Sequence, residues 1–345
     1  MIRFLALMLG AALVLALGGA LGCDPATPSP PQDGGLPDGE APGFVLDLRD
    51  VDTSEGGLRR VHGYTGSGDL GVPVAAGGDC DGDGLVDLAL ASFLASPFGR
   101  TRAGEVYLTF GDGTSHGEVD TAPMSTGVLK IAGAGELETL GNEIWIDDVT
   151  GDGIADLLLC RQNFQPATDR PGAGALTILV GGPNVREYAE TLAYVDLQDP
   201  PAEIDLVTFI GAAAIDRLGI WVRTADVTGD QIADIIVGAD QEDGRGDNSG
   251  AVYVIRGGSH LASTRTVDLA DFGATSFAGD IAKVVPPDGS LKFHLGATCT
   301  GADLDGNGRA DVIVAAALNR SGASAPALGA PPGSAESTGG TENGT

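Results

Sequence analysis

The sequence predicts an all-β protein built from four copies of one module. Three observations lead there: a nine-residue acidic loop recurs four times, an apolar run follows each copy, and 55 glycines stand beside only 5% aromatic residues in 345. Such a composition suits many short strands joined by tight turns better than it suits helices. The loops begin 69, 78 and 77 residues apart, the signature of a repeat protein in which no single unit buries its apolar face alone.

The first loop is Asp79-Cys80-Asp81-Gly82-Asp83-Gly84-Leu85-Val86-Asp87, with carboxylates at positions 1, 3, 5 and 9. A hard divalent cation takes six to eight oxygens, and Ca²⁺ tolerates a flexible cage better than Mg²⁺ does. Asp79, Asp81, Asp83 and Asp87 are therefore the candidate side-chain ligands, with the backbone carbonyl of Leu85 beside them and Gly84 permitting the sharp bend. Without a cation these like charges would repel one another at close range. The second loop offers Asp148, Thr150, Asp152, the carbonyl of Ile154, and Asp156. The third offers Asp226, Thr228, Asp230, the carbonyl of Ile232, and Asp234; the fourth offers Asp303, Asp305, Asn307, the carbonyl of Arg309, and Asp311. Up to four Ca²⁺ ions are expected, most tightly in the first loop. The third loop is expected to be weakest, because Gln231 stands where the bend wants glycine.

The flanks repeat too. A Leu-Gly pair leads into each loop (Leu70-Gly71, Leu140-Gly141, Leu218-Gly219, Leu295-Gly296). The apolar runs are Leu88 to Ala91, Leu157 to Leu159, Ile235 to Ala239 and Val312 to Ala315. Three repeats show a further strand, Gly104 to Leu108, Gly174 to Leu179 and Gly250 to Ile255; the fourth does not. An EF-hand would need a bidentate Glu at position 12 between helices, but Leu90, Leu159, Val237 and Val314 stand there and β runs follow. Asp-Gly turns alone explain one such pair, not aspartate at positions 1 and 9 in four copies.

Taken together these elements resemble the FG-GAP repeat of integrin α-subunit N-terminal propellers and their bacterial relatives, over roughly residues 44–318. The resemblance implies that each repeat is a blade of a β-propeller, that the acidic loops bind Ca²⁺, and that loops on one face contact a protein or glycan partner. Leucine replaces the phenylalanine of the name throughout, and four repeats stand where the family has about seven. The expected ring has three complete blades and a partial fourth. It is either a small one closed by the N-terminal strand or an incomplete one.

Along the chain, residues 1–22 read as a signal peptide with an apolar stretch from Phe4 to Leu17. Ala20-Leu21-Gly22-Cys23 resembles a bacterial lipobox, which implies lipidation at Cys23 and anchoring to a bilayer of the cell envelope; plain secretion is the alternative. Residues 23–43 form a Pro/Gly-rich tether, and residues 319–345 a low-complexity tail expected to be disordered. Phe44-Val45-Leu46-Asp47-Leu48 opens the β pattern and compares with Thr266-Val267-Asp268-Leu269, the outer end of a blade. The net charge of −29 includes thirteen loop carboxylates and leaves no basic stripe, which excludes nucleic acid as a partner.

Three other patterns carry no function on this reading. Gly113-Thr114-Ser115-His116-Gly117 has nucleophile-elbow spacing but matches Gly181-Gly182-Pro183-Asn184 and Gly257-Gly258-Ser259-His260, read as hairpin turns. Gly66 to Gly71 lacks the βαβ context of a dinucleotide site, and Arg245-Gly246-Asp247 reads as an incidental tripeptide in an acidic loop. Trp145 and Trp221 read as core residues, while Cys80, Cys160 and Cys299 leave room for one disulfide. The expected function is a non-catalytic interaction or adhesion module. The alternatives are an accessory domain of an envelope hydrolase (a phospholipase or glycan-active enzyme) and a fragment of a larger propeller.

Overall fold

The computed structural model describes residues 11–15, 58–64, 68–114, 117–271, 273 and 279–317. Cys23, the tether, Phe44 to Leu48, Gly66, Ser67, Ser115, His116, the tail and all of the signal peptide except 11–15 lie outside the described residues. Strands β1 (Ala11–Leu15) and β2 (Leu58–His62) precede the first repeat, which gives β3 (Val74–Ala76), β4 (Leu88–Ser92), β5 (Glu105–Thr109), β6 (Gly117–Asp120) and β7 (Val128–Ala132). The second repeat gives β8 (Ile144–Asp147), β9 (Asp156–Arg161), β10 (Ala175–Leu179), the short helix α1 (Pro183–Ala189), β11 (Tyr194–Asp196) and β12 (Leu206–Ile210). The third gives β13 (Val222–Ala225), β14 (Asp234–Ala239), β15 (Ala251–Ile255), β16 (Arg265–Asp268) and β17 (Ile281–Val284). The fourth contributes β18 (Leu295–Ala302) and β19 (Asp311–Ala316).

These strands form blades. Blade 1 runs β3-β4-β5-β7-β11, blade 2 runs β8-β9-β10-β12-β16, blade 3 runs β13-β14-β15-β17, and blade 4 is β18-β19. Four strands of each full blade are antiparallel neighbours; the fifth, where present, comes from the next repeat and pairs in parallel. The fold is thus all-β and propeller-like, with three four-stranded blades and a partial fourth.

Because successive side chains on a strand point to opposite faces, a strand between two blades must be apolar on both. In β9, Leu157 and Leu159 join the cluster between blades 1 and 2, while Leu158 and Cys160 join the cluster between blades 2 and 3. Both clusters are fully buried at their centres, so truncating one such leucine to alanine would cost about 2–5 kcal/mol. A smaller cluster joins Ile236 and Val252 of blade 3 to Cys299, Val312 and Val314 of blade 4.

The Leu-Gly pairs lock neighbouring blades. Leu140 and Leu218 are fully buried, and their N–H groups donate to Ala103 O (2.8 Å) and Ala173 O (3.0 Å) of the preceding blade. Leu295 does the same with Ser249 O at 3.1 Å. The following glycines have φ of +84° (Gly141), +84° (Gly219) and +91° (Gly296), backbone that favours glycine.

Two expectations are corrected and a third is not reached. The turns after β5, β10 and β15 are not hairpin turns: the chain leaves its blade there and crosses to the previous one, through α1 in the second repeat. The strand Phe44 to Leu48, offered as a closure for the last blade, lies outside the described residues; β2, which follows it, pairs with β6 in parallel and with β1 antiparallel. No disulfide links Cys80, Cys160 and Cys299, which are all buried free thiols.

Candidate functional site

All four acidic loops lie between the first and second strands of a blade, and one hydrogen-bond pattern folds them. The position-1 aspartate wraps the turn. Asp79 Oδ1 accepts from Gly82 N at 2.7 Å and Asp83 N at 3.1 Å, and its Oδ2 accepts from Gly84 N at 2.7 Å. Asp148, Asp226 and Asp303 repeat this with the same three positions of their own loops. Position 5 then accepts from the position-7 N–H, as Asp83 does from Leu85, Asp152 from Ile154, Asp230 from Ile232 and Asn307 from Arg309. Removal from water pushes the Asp79 carboxyl up, but the N–H groups of Gly84 and Gly82 outweigh it and hold it below the usual range.

Position 9 does different work. Asp156 Oδ2 accepts from Val149 N (3.0 Å) and Thr150 N (3.1 Å), and Oδ1 accepts from Gly181 N (2.9 Å) beyond β10. Asp87 bridges Cys80 N and Gly111 N, and Asp234 bridges Val227 N, Thr228 N and Gly257 N. These three aspartates are buried clamps that tie each loop to the point where its chain leaves the blade. Burial pushes Asp87 up to about 6 and Asp156 up to about 7, against the pull of their N–H donors. Asp311 keeps only the Leu304 N–H at 3.1 Å, since no third strand of blade 4 is described.

The residues fit a hard cation best in two places. Oxygens of Asp79, Asp81 and Asp87 all lie within 4.8 Å of one another, as do those of Asp303, Asp305 and Asp311. In the third loop, Thr228 Oγ1 is buried beside the Asp230 carboxylate. Each carboxylate retains lone pairs beyond its backbone bonds, so metal binding and loop folding are compatible.

Two arginines enter this picture that the sequence pattern did not show. Arg186 of α1 donates to Asp81 through Nε and to Asp83 through Nη2 (2.8 Å), and lies 4.8 Å over the Phe110 ring. Arg256, just after β15, donates to Asp230 at 2.9 Å. They stand at different places in their repeats, so no periodicity flags them. An ion entering the first loop must share these carboxylates with Arg186 or displace it.

The loops also touch in series. A Cβ on Gly82 would lie 3.2 Å from Ile154, one on Gly151 2.7 Å from Ile232, and one on Gly229 2.8 Å from Arg309. Position 7 of each loop thus rests on position 4 of the loop before. Ala155 N donates to Asp79 O at 2.8 Å and Ala310 N to Asp226 O at 2.7 Å, which adds backbone links between neighbours. Inside the arc, Arg223 lies 4.5 Å from the Trp145 ring and 4.4 Å from the Trp221 ring and is paired with Glu143. The two half-buried tryptophans therefore hold an arginine as well as packing against the apolar clusters.

Geometry of this kind defines a class: an all-β, bladed repeat protein with an acidic loop between the first two strands of each blade. Within that class, residues 218–255 match the FG-GAP repeat family, from the Leu-Gly pair through the acidic loop to the last residue of β15. No curated protein matches the chain.

Proposed function

We propose that this chain is an exported, calcium-binding, propeller-type interaction module of the integrin α-like kind, held at a bacterial cell envelope through a lipidated Cys23. It catalyses no reaction. Its partner is a protein or a glycan met by the face that carries the acidic loops. The observation that supports this reading is the set of four loops folded alike and resting on one another, with two of them converging three carboxylates within 4.8 Å. Asp79, Asp81, Asp83, Asp87 and the Leu85 carbonyl would hold an ion in the first loop, and the corresponding residues would do so in the others. A bound ion supplies positive charge that fixes the loop; the chain's own carboxylates and clamps set where the next strand begins.

Calorimetric titration of the purified chain with calcium tests the metal part. Binding heat with a stoichiometry between one and four is expected, and Asp305→Ala should remove one site. Absence of heat in the native chain contradicts the reading. Mass analysis of the N-terminal peptide tests the anchor: a diacylglycerol-modified Cys23 is expected, and an unmodified cysteine contradicts it.

A further inference from the structure

Each crossing strand follows one rule. β6 pairs in parallel with β2, β11 with β7 and β16 with β12, so a strand from one repeat always covers the outer edge of the blade before it. The register is constant: Asp120, Asp196 and Asp268 sit opposite His62, Ala132 and Ile210, the last residue of the covered strand.

In two of the three cases the aspartate is gripped by an arginine of the covered blade; among the described residues Asp120 has no such arginine and accepts the Ala122 N–H. Arg100 binds Asp196 through two bonds of 2.8 Å and Arg170 binds Asp268 through bonds of 2.8 and 2.6 Å. Both arginines lie between the second and third strands of the blade, four residues before Gly104 and Gly174. Both also reach a carbonyl just beyond the covered strand, Ala134 O and Gly211 O. Such two-pronged pairs fix position as well as adding attraction.

Blade 3 has the arginine without the strand. β17 pairs with β15 on one edge, and among the described residues nothing pairs with the other. Arg245 lies in the corresponding connection, five residues before Gly250. Its side chain is 43% exposed, against 12% for Arg100 and 22% for Arg170, and its one carboxylate partner among the described residues is Asp288, itself 81% exposed. The Arg-Gly-Asp tripeptide thus acquires a structural reading. An open edge beside an under-used cation is a place for a strand carrying an aspartate.

We propose that residues 44–48 of a second copy of this chain fill that edge, with Asp47 in the grip of Arg245. Leu46-Asp47-Leu48 matches Val195-Asp196-Leu197 and Val267-Asp268-Leu269, and Leu197 and Leu269 are buried. Ten residues separate Asp47 from β2, against nine between Asp196 and β12. In the register of the other crossing strands, Asp47 would lie opposite Val284 and Phe44 opposite Ile281, the two ends of β17. A second copy fits because the arc is open: β18 packs on β13, β14 and β15, and β3 packs on β4 and β8. No packing of similar extent joins the first blade to the fourth among the described residues.

Sedimentation of the full chain, with Asp47→Arg and Arg245→Asp variants alone and mixed, decides the matter. The native chain should have twice the chain mass. Each variant alone should dissociate at least about tenfold more readily, the loss of one strong charge pair. Mixing the two variants should restore the native mass, because each chain then meets its opposite charge. Amide exchange is the check on folding: residues 281–284 should be protected in the native assembly and lose protection when residues 44–48 are deleted. A monomeric native chain, variants that associate normally, a mixture that stays apart, or protection that survives the deletion would each overturn the proposal.

Discussion

Asp156 accepts the Gly181 N–H through Oδ1 at 2.9 Å while its Oδ2 takes the N–H groups of Val149 and Thr150. One buried carboxylate thereby joins the acidic loop of blade 2 to the exit of β10, a residue that sequence alone assigns simply to the metal. The structural and metal roles separate by mutation. Asp156→Asn leaves at least one buried N–H facing an amide donor and should cost about 1–3 kcal/mol even in chelator, read by urea unfolding. Asp152→Ala, on an exposed side chain, should leave that midpoint within experimental error and reduce calcium binding heat. Equal losses from both variants in chelator would contradict the division of labour.

Gly174 shows why the residue ahead of each third strand is glycine. Its φ is +79°, and an added Cβ would lie 2.3 Å from Leu218 O and 2.4 Å from Leu218 N of the next blade. Backbone cannot swing aside as a side-chain tip can. Gly174→Ala is expected to destabilise the chain by about 3 kcal/mol or more, measured by thermal unfolding, since it combines strain with loss of the interblade bond.

Gln231 occupies the bend that Gly84, Gly153 and Gly308 occupy in the other loops, and takes φ of +69° there. A side chain in the left-handed region costs roughly 1–2 kcal/mol. Gln231→Gly should therefore raise stability by up to about 1 kcal/mol and tighten calcium binding in the third loop. A lower melting temperature in this variant would show that Gln231 makes a compensating contact.

Asp216 supplies a pH test away from the loops. Burial pushes its carboxyl up to about 6, against the Ala213 N–H that it accepts at 2.8 Å, with Glu242 adding to the rise. A group raised in the folded state favours folding while it is protonated, so its contribution is complete below about 4 and is lost as pH climbs through 6. Asp216→Asn keeps an acceptor and removes the charge. The variant should exceed the native chain by about 1–2 kcal/mol at pH 7.5 and by much less at pH 4.5. A constant difference across that range would contradict this assignment.

The sequence makes the module legible and leaves its connections hidden. Aspartates at fixed positions, buried leucines at period two in β9, and the Leu-Gly pairs all follow from spacing, and the structure places them as loops, blade cores and interblade locks. The crossing strands escape notice because three or four residues such as Tyr194-Val195-Asp196 carry too little pattern, and parallel pairing with the blade before, about sixty residues back in the chain, leaves no local mark. Arg186 and Arg256 escape because they reach the loops from unlike positions. The hairpin reading of Gly181-Gly182-Pro183 fails for a related reason: glycine and proline mark a turn without saying where the chain goes next.

The central claim is that cations complete the acidic loops, and thermal melting in millimolar calcium against excess chelator tests it most directly. Two sites filled at a hundred times their dissociation constants add about 5 kcal/mol, so a fall of about 10 °C or more in chelator is expected. An unchanged melting temperature would contradict the account.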